Sequence, residues 1–137
     1  MKKMITVSTS VNASIEKVWN AWNAPAHITH WYFASDDWYA PKAENDLQEG
    51  KKFSISMAAK DGSFSFDLIG EYENIKENEY IEYTLEDGRN VQITFEVADH
   101  KVFITESFEP ENENPEEMQR DGWQAILDNF KKHVEKI

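Results

Sequence analysis

The polar side chains that could support chemistry in this sequence are few and lie far apart. His27 and His30 are three residues apart, a spacing that on a helix can present two imidazoles to a metal ion. Asp36 and Asp37 are the nearest candidates for a third ligand, but neither stands at a compelling spacing. Histidines on a partly exposed helix surface are therefore the favoured interpretation, and the sequence predicts no metal site.

Three carboxylates are candidates for an acid or base. Asp36 and Asp37 stand between aromatic residues, and they would need to be desolvated, whereas two aspartates in a loop are usually solvated. Glu106 differs because it lies on the apolar side of its own predicted strand. That side carries Val102, Ile104 and Phe108. If Glu106 faces inward, its pKa should rise and it could contact a ligand, whereas a β-bulge would turn it outward.

Motifs typical of nucleophilic or phosphate chemistry are missing from the sequence. There is no cysteine, which excludes a thiol nucleophile, a cysteine metal site and a disulfide framework. There is also no nucleophile elbow and no phosphate-binding glycine loop. The sequence therefore predicts no catalytic residue and no cofactor, and an enzyme is the less favoured interpretation.

A long amphipathic helix, predicted from Pro115 to Ile137, is the main element that must position these side chains. Asn114 can cap it, and Pro115 suits its first position. Its apolar residues recur on one stripe of a 3.6-residue helix. They are Met118, Trp123, Ile126, Leu127, Phe130, Val134 and Ile137. A helix of about six turns cannot bury such a stripe alone, so it needs a partner surface.

Alternating apolar residues predict that partner surface as an antiparallel sheet. A first strand from Met4 to Val11 is followed by two short helices, Ser14 to Asn23 and Pro25 to His30. Five further strands are separated by polar turns, two of which carry Asp-Gly. They run from Lys52 to Ala59, Ser63 to Asn74, Tyr80 to Leu85, Arg89 to Ala98 and Lys101 to Phe108.

The segments between the short helices and these strands are predicted as irregular. Trp31 to Tyr39 is expected to form an aromatic loop or a short strand, and Pro41 to Lys51 a polar loop. The whole pattern indicates an α+β fold in one domain spanning residues 1–137. A strongly curved antiparallel sheet would grip the long C-terminal helix.

The charge of the chain narrows the classes of partner. The formal net charge is −12, which argues against nucleic acid and anionic membranes, because both bind basic patches. The first residues alternate instead of forming an apolar run, so neither a signal peptide nor a transmembrane segment is predicted. A cytoplasmic location follows as an expectation, and the sequence does not indicate an oligomeric state.

Several short motifs, in this order, resemble the START-like (SRPBCC) superfamily, and within it the bacterial single-domain homologues of the activator of the heat-shock-protein-90 ATPase. They are Ala13-Ser14-Ile15-Glu16-Lys17-Val18-Trp19, Trp31, Gly70-Glu71-Tyr72, Tyr83-Thr84 and Gly122-Trp123. The chain departs from the pattern at Gln48 and Glu49, where relatives often carry an arginine and a pair of glycines. No role for a basic residue at that rim is carried over.

The resemblance implies a helix-grip fold with a cavity between the sheet and the long helix. The expected function is the binding of a small apolar or lipid-like ligand. The alternatives are a chaperone accessory and an enzyme of the cyclase or hydrolase kind. The expected ligand-binding residues are Trp31, Phe53, Phe66, Tyr83, Phe95, Glu106 and Trp123. Gly70 and Ala59 lie on the apolar face, where small side chains should leave space.

Overall fold

A computed structural model describes residues 3–137 as a curled sheet with three helices. The elements are β1 (Ile5–Val11), α1 (Ile15–Asn23), α2 (Pro25–Ile28), β2 (Trp38–Asn45), β3 (Lys52–Ala59), β4 (Ser65–Lys76), β5 (Tyr80–Leu85), β6 (Asn90–Ala98), β7 (Lys101–Phe108) and α3 (Glu116–Lys136). In this part of the chain the strands form one antiparallel sheet, in the order β1-β7-β6-β5-β4-β3-β2. The two short helices therefore connect strands at opposite edges. Within the same residues, no helix combines the length and the apolar character needed to cross a membrane.

The long helix α3 packs on the sheet and also covers the free edge of β1. The side-chain amide of Gln124 donates to the carbonyl of Ser8 at 3.0 Å, and Lys131 Nζ donates to the carbonyl of Ser10 at 2.7 Å. An uncovered edge strand is a template for pairing with another chain, so these bonds satisfy groups that would otherwise be exposed. They also fix the position of α3 along the sheet.

The C-terminal half of α3 is packed into the core by aromatic side chains of α1 and of the segment after α2. Phe130 is fully buried, with ring centroids 4.7 Å from Trp31 and 4.9 Å from Trp22. The indole of Trp31 donates to the carbonyl of Ala21 at 3.0 Å, which anchors the chain after α2 against α1. The side chain of Ser14 accepts from the backbone N–H of Lys17 and caps α1, as its sequence position predicts.

The structure confirms the bounds predicted for β3, β5 and β7 and corrects the segment after α2. The prediction of a loop from Pro41 to Lys51 is wrong over its first half, because β2 continues to Asn45. A register shift between Tyr39 and Lys42 interrupts the alternation, and β2 is an edge strand, where proline is tolerated. The start of α3 also differs by one residue, since Pro115 takes the N-cap position that Asn114 was expected to occupy.

Candidate functional site

Glu106 lies on the inner face of β7 and is only 5% exposed. It is paired with Val7 on one side and Ile93 on the other, and both pairings run without a register shift. Glu106 therefore faces inward, and the β-bulge that would have turned it outward is not observed. Burial raises the pKa of Glu106 to about 8. At neutral pH the carboxyl is mostly protonated and uncharged.

Two buried tyrosines stand near this carboxyl. Tyr32 follows α2 and Tyr83 lies on the inner face of β5, and their side chains interact through the hydroxyl groups. Burial raises the pKa of both tyrosines, and in each case the nearby Glu106 adds to the effect. Tyr83 thus has a protein partner for its hydroxyl. The polar groups in this part of the core are uncharged groups that can form hydrogen bonds.

Two small, partly enclosed cavities lie between the sheet and the helices. The first has a volume of about 10 Å³ and is lined by Trp22, Trp31, Tyr32, Glu106, Trp123, Ile126 and Leu127. The second has a volume of about 30 Å³. It is lined by Trp22, Asn23, Ile28, Trp31, Tyr32, Asn45, Phe53, Ile55, Tyr72, Ile81 and Tyr83. Each is far smaller than ligand pockets, which run to about 300–1,000 Å³.

A larger open groove lies beside the N-terminal half of α3. Its volume is about 250 Å³, and its lining is mainly apolar. It is bordered by Tyr32, Met57, Phe66, Leu68, Arg89, Glu111, Asn114, Gln119, Trp123 and Ile126. Tyr32 borders this groove and both cavities. Tyr32 is therefore part of the boundary of all three spaces.

Six of the seven residues expected to bind a ligand line at least one of these three spaces, and Phe95 lines none of them. Trp31, Glu106 and Trp123 line the smaller cavity, and Trp31, Phe53 and Tyr83 line the larger one. Phe66 and Trp123 line the groove, and Phe66 is 41% exposed because β4 extends past the core at that point. Phe95 instead packs edge-on against Trp19 and Trp22, with ring centroids 5.3 and 5.5 Å away.

Two residues that the sequence did not single out also line these spaces. Trp22 and Tyr32 were not expected to form a site, although Trp22 is on the apolar stripe of α1 and Tyr32 directly follows Trp31. The position of Tyr32 next to the expected site residue Trp31 was the sequence signal that could have indicated its place in the site. Asp36 and Asp37, the other candidates for acid–base chemistry, are exposed and precede β2.

The space expected above Gly70 is filled, so that expectation is wrong. A Cβ built on Gly70 would overlap atoms Cε2 and Cζ of the Phe53 ring, and it would lie 3.1 Å from Cδ1 of Tyr83. The missing side chain accommodates an aromatic ring from the neighbouring strand. A bulky residue at this position would disturb the core and would not simply close a pocket.

A third histidine joins the pair noted in the sequence. Nδ1 of His27 and Nε2 of His133 are 2.9 Å apart, and the ring of His30 stacks on that of His133 with centroids 5.5 Å apart. Burial, and then the nearby His27, His30 and Lys136, lower the pKa of His133. Within residues 3–137, no group of three or more histidine or carboxylate side chains has an arrangement that could hold a metal ion.

Comparisons with known proteins place this geometry in a family. The family model described as "Activator of Hsp90 ATPase homolog 1-like protein" matches residues 12–135. A search of curated proteins finds no match. The solution structure of an AHSA1-like protein from Aeromonas hydrophila is 36% identical, with a TM-score of 0.92 over 98% of this chain and 93% of that chain.

Two further solved structures extend the comparison. A protein from Cytophaga hutchinsonii is 53% identical, with a TM-score of 0.84 over 96% of this chain and 92% of its own. A protein from Chromobacterium violaceum has a TM-score of 0.86, covering 97% of this chain and 98% of its own, at 20% identity, which shows the fold alone. The curled sheet, the short helices and the long C-terminal helix form the helix-grip fold of this family. The chain belongs to the Activator of Hsp90 ATPase homolog 1-like family, within the START-like superfamily.

Proposed function

We propose that this protein binds a small apolar or lipid-like ligand beside the N-terminal half of α3. The observation that carries the proposal is the open groove of about 250 Å³, whose lining is mainly apolar. Exposed contiguous apolar surface in a folded domain commonly marks a binding site. Met57, Leu68 and Trp123 give the groove an apolar floor and wall, and Phe66 extends it outward.

The binding mode follows from the sizes of the three spaces. The groove is slightly below the usual range of about 300–1,000 Å³ for ligand pockets, and the two cavities are much smaller. A ligand would therefore lie in the groove and reach inward by displacing part of the boundary between the spaces, to which Tyr32 contributes in all three. Trp31, which lines both cavities, would then contact its inner end.

The direct test is binding of N-phenyl-1-naphthylamine, an uncharged fluorophore, measured by its own emission and by quenching of tryptophan. We expect saturable binding with one probe per chain. Phe66→Ser should weaken the binding about fivefold or more, because it removes an aromatic wall from the groove. Val97→Ser is the matched control, because Val97 is 60% exposed and does not border the groove.

Two results would contradict the proposal. The first is the absence of saturable binding by the wild-type protein. The second is equal binding by the Phe66→Ser and Val97→Ser variants, which would show that the probe adheres to exposed apolar residues in general.

A second candidate function is that of a chaperone accessory. It is supported by the description of the matching family and by an aromatic group in which the exposed rings of Phe64 and Phe66 pack on Trp38. The ATPase rate of a bacterial Hsp90 with and without the protein tests this candidate. A Phe64→Ser variant should lose any stimulation, whereas it should keep fluorophore binding, since Phe64 does not border the groove.

A further inference from the structure

The smaller cavity has an unusual lining for a core void. Its wall contains three tryptophans, a tyrosine and a carboxyl group. They are Trp22, Trp31, Trp123, Tyr32 and Glu106. A cation near aromatic rings is attracted by their negative faces, and tryptophan gives the strongest attraction of the aromatic residues. A carboxylate adds direct charge complementarity.

The negative charge that Glu106 carries when ionised is not offset by a cationic side chain among the residues that line the two cavities. Its partners across the sheet are Val7 and Ile93, and the contributions of α1 and α3 to the cavity wall are tryptophan, isoleucine and leucine. The titratable groups that face it are Tyr32, from the segment after α2, and Tyr83 on β5. Tyr72 on β4 is the next, acting on both tyrosines. No lysine, arginine or histidine among the described residues lines either cavity.

These surroundings discriminate between ligand head groups. An anionic head group would be placed beside an acidic side chain with no cation to offset it, which is unfavourable in a buried site. An uncharged head group could hydrogen-bond to the carboxyl but would lack the cation–π attraction of the four rings. A cationic head group would gain from both the rings and the carboxylate.

We propose that the ligand carries a single ammonium group, which binds at Glu106 among Trp22, Trp31, Tyr32 and Trp123, while its apolar part lies in the groove. This inference rests on the proposed function, because it describes the other end of the same ligand. The ligand class is thus an alkyl- or arylammonium ion with one positive charge.

Access to Glu106 requires local movement at the boundary between cavity and groove. Tyr32, Trp123 and Ile126 line both spaces and therefore form the partition between them. The cavity of about 10 Å³ has room for about one water molecule, so an ammonium group must displace part of this partition. Trp123 and Ile126 are only partly buried, which makes them the side chains best able to move outward.

Binding of a cation would be coupled to loss of a proton from Glu106. Because burial raises the pKa of this carboxyl to about 8, the free protein holds the proton at neutral pH. An ammonium ion favours the ionised carboxylate, so the proton leaves to solvent as the cation binds. The affinity should then rise up to about tenfold per pH unit between pH 6 and 7.5.

The test compares three probes of matched length by calorimetry: octyltrimethylammonium, 1-nonanol and nonanoate, each far below the concentration at which it aggregates. We expect octyltrimethylammonium to bind at least about tenfold more tightly than 1-nonanol, and nonanoate to bind most weakly. Glu106→Gln should lower the affinity for the cation about tenfold or more and remove its pH dependence. The same variant should lower the affinity for 1-nonanol much less than the affinity for the cation, because an alcohol can also hydrogen-bond to the glutamine amide.

A measurement on the wild-type protein keeps the test independent of how the variant folds. Titration at pH 7 in buffers of different ionisation enthalpy should show release of about one proton per octyltrimethylammonium bound and none for 1-nonanol. Equal affinities for cation and alcohol, or no proton release, would overturn this inference and leave the proposed function standing. Absence of binding by all three probes would overturn both.

Discussion

The two halves of α3 face different surroundings. In the C-terminal half, Leu127, Phe130 and Val134 are fully buried. In the N-terminal half, Trp123 is half-buried, Met118 is 60% exposed, and the apolar groove lies alongside. One amphipathic helix thus stabilises the fold with one half and leaves apolar surface uncovered with the other. The difference leaves exposed apolar surface beside the N-terminal half, which is where the proposed ligand would bind.

We call the N-terminal half of α3 the open half and the C-terminal half the closed half. Hydrogen bonds fix the chain at the start of the open half. The side-chain amide of Gln119 donates to the carbonyls of Glu111 and Asn114 at 3.1 and 2.8 Å, and its oxygen accepts from the N–H of Glu111 at 2.9 Å. These bonds tie the segment before α3 to the first turns of the helix. The groove is therefore bounded by an ordered segment and is not an unravelled helix end.

The largest expected effect comes from removing a ring in the closed half. Phe130→Ala should lower the free energy of unfolding by about 3–5 kcal/mol, because it leaves a cavity among Trp22 and Trp31. Met118→Ala, in the open half, should change it by less than about 0.5 kcal/mol. Urea denaturation measures both values, and similar losses in the two variants would remove the distinction between the halves.

A smaller effect concerns the buried carboxyl beneath the open half. Burial raises the pKa of Glu106 from 4.5 to about 8, so the native state holds this proton more tightly than the unfolded chain does. Stability from this group is complete below pH 4.5 and is lost as the pH rises through 8. Between pH 5 and pH 8.5, the difference in the free energy of unfolding between Glu106→Gln and wild type should change in favour of the variant by on the order of 2–4 kcal/mol.

Urea denaturation of both proteins at the two pH values gives that difference directly. Parallel pH dependence of wild type and Glu106→Gln would show that the carboxyl is solvated in the native state.

Trp123 should matter less for stability than for binding. It stacks on Phe108 with ring centroids 3.9 Å apart, but part of its ring is exposed. Trp123→Ala should therefore cost about 1–3 kcal/mol, below the range for a fully buried aromatic. The same variant should lose most binding of N-phenyl-1-naphthylamine, because Trp123 borders both the groove and the Glu106 cavity. Unchanged fluorophore affinity in a folded variant would place the ligand elsewhere.

The smallest effect is expected at the histidines of the closed half. The lowered pKa of His133 means that protonation favours the unfolded chain, so stability is lost as the pH falls below about 6.5. The loss should be under about 1 kcal/mol, because the side chain is only partly buried. Denaturation at pH 7.5 and 5.5 should show a shallower pH dependence for His133→Gln than for wild type. An equal pH dependence would mean that the contact with His27 is not formed in solution.

The fold was more predictable than the site, for physical reasons. Alternation and helical periodicity are local, so the bounds of β3, β5 and β7 could be predicted directly. Strand β2 was missed because Pro41 and a register shift break its alternation. The partners of Glu106 depend on contacts distant in sequence, as does the approach of His133 to His27, and no local pattern encodes them. Gly70 shows the same limit, since only the packed structure places the Phe53 ring over it.

The most direct test of ligand binding in the open half is a ¹H–¹⁵N NMR titration of the wild-type protein with N-phenyl-1-naphthylamine. Saturable shift changes are expected at the indole N–H of Trp123 and at the backbone amides of Tyr32, Met57 and Leu68, all of which border the groove. Phe130 and Val134, in the closed half, should change little. Absence of saturable changes, or changes of equal size in both halves, would contradict the account.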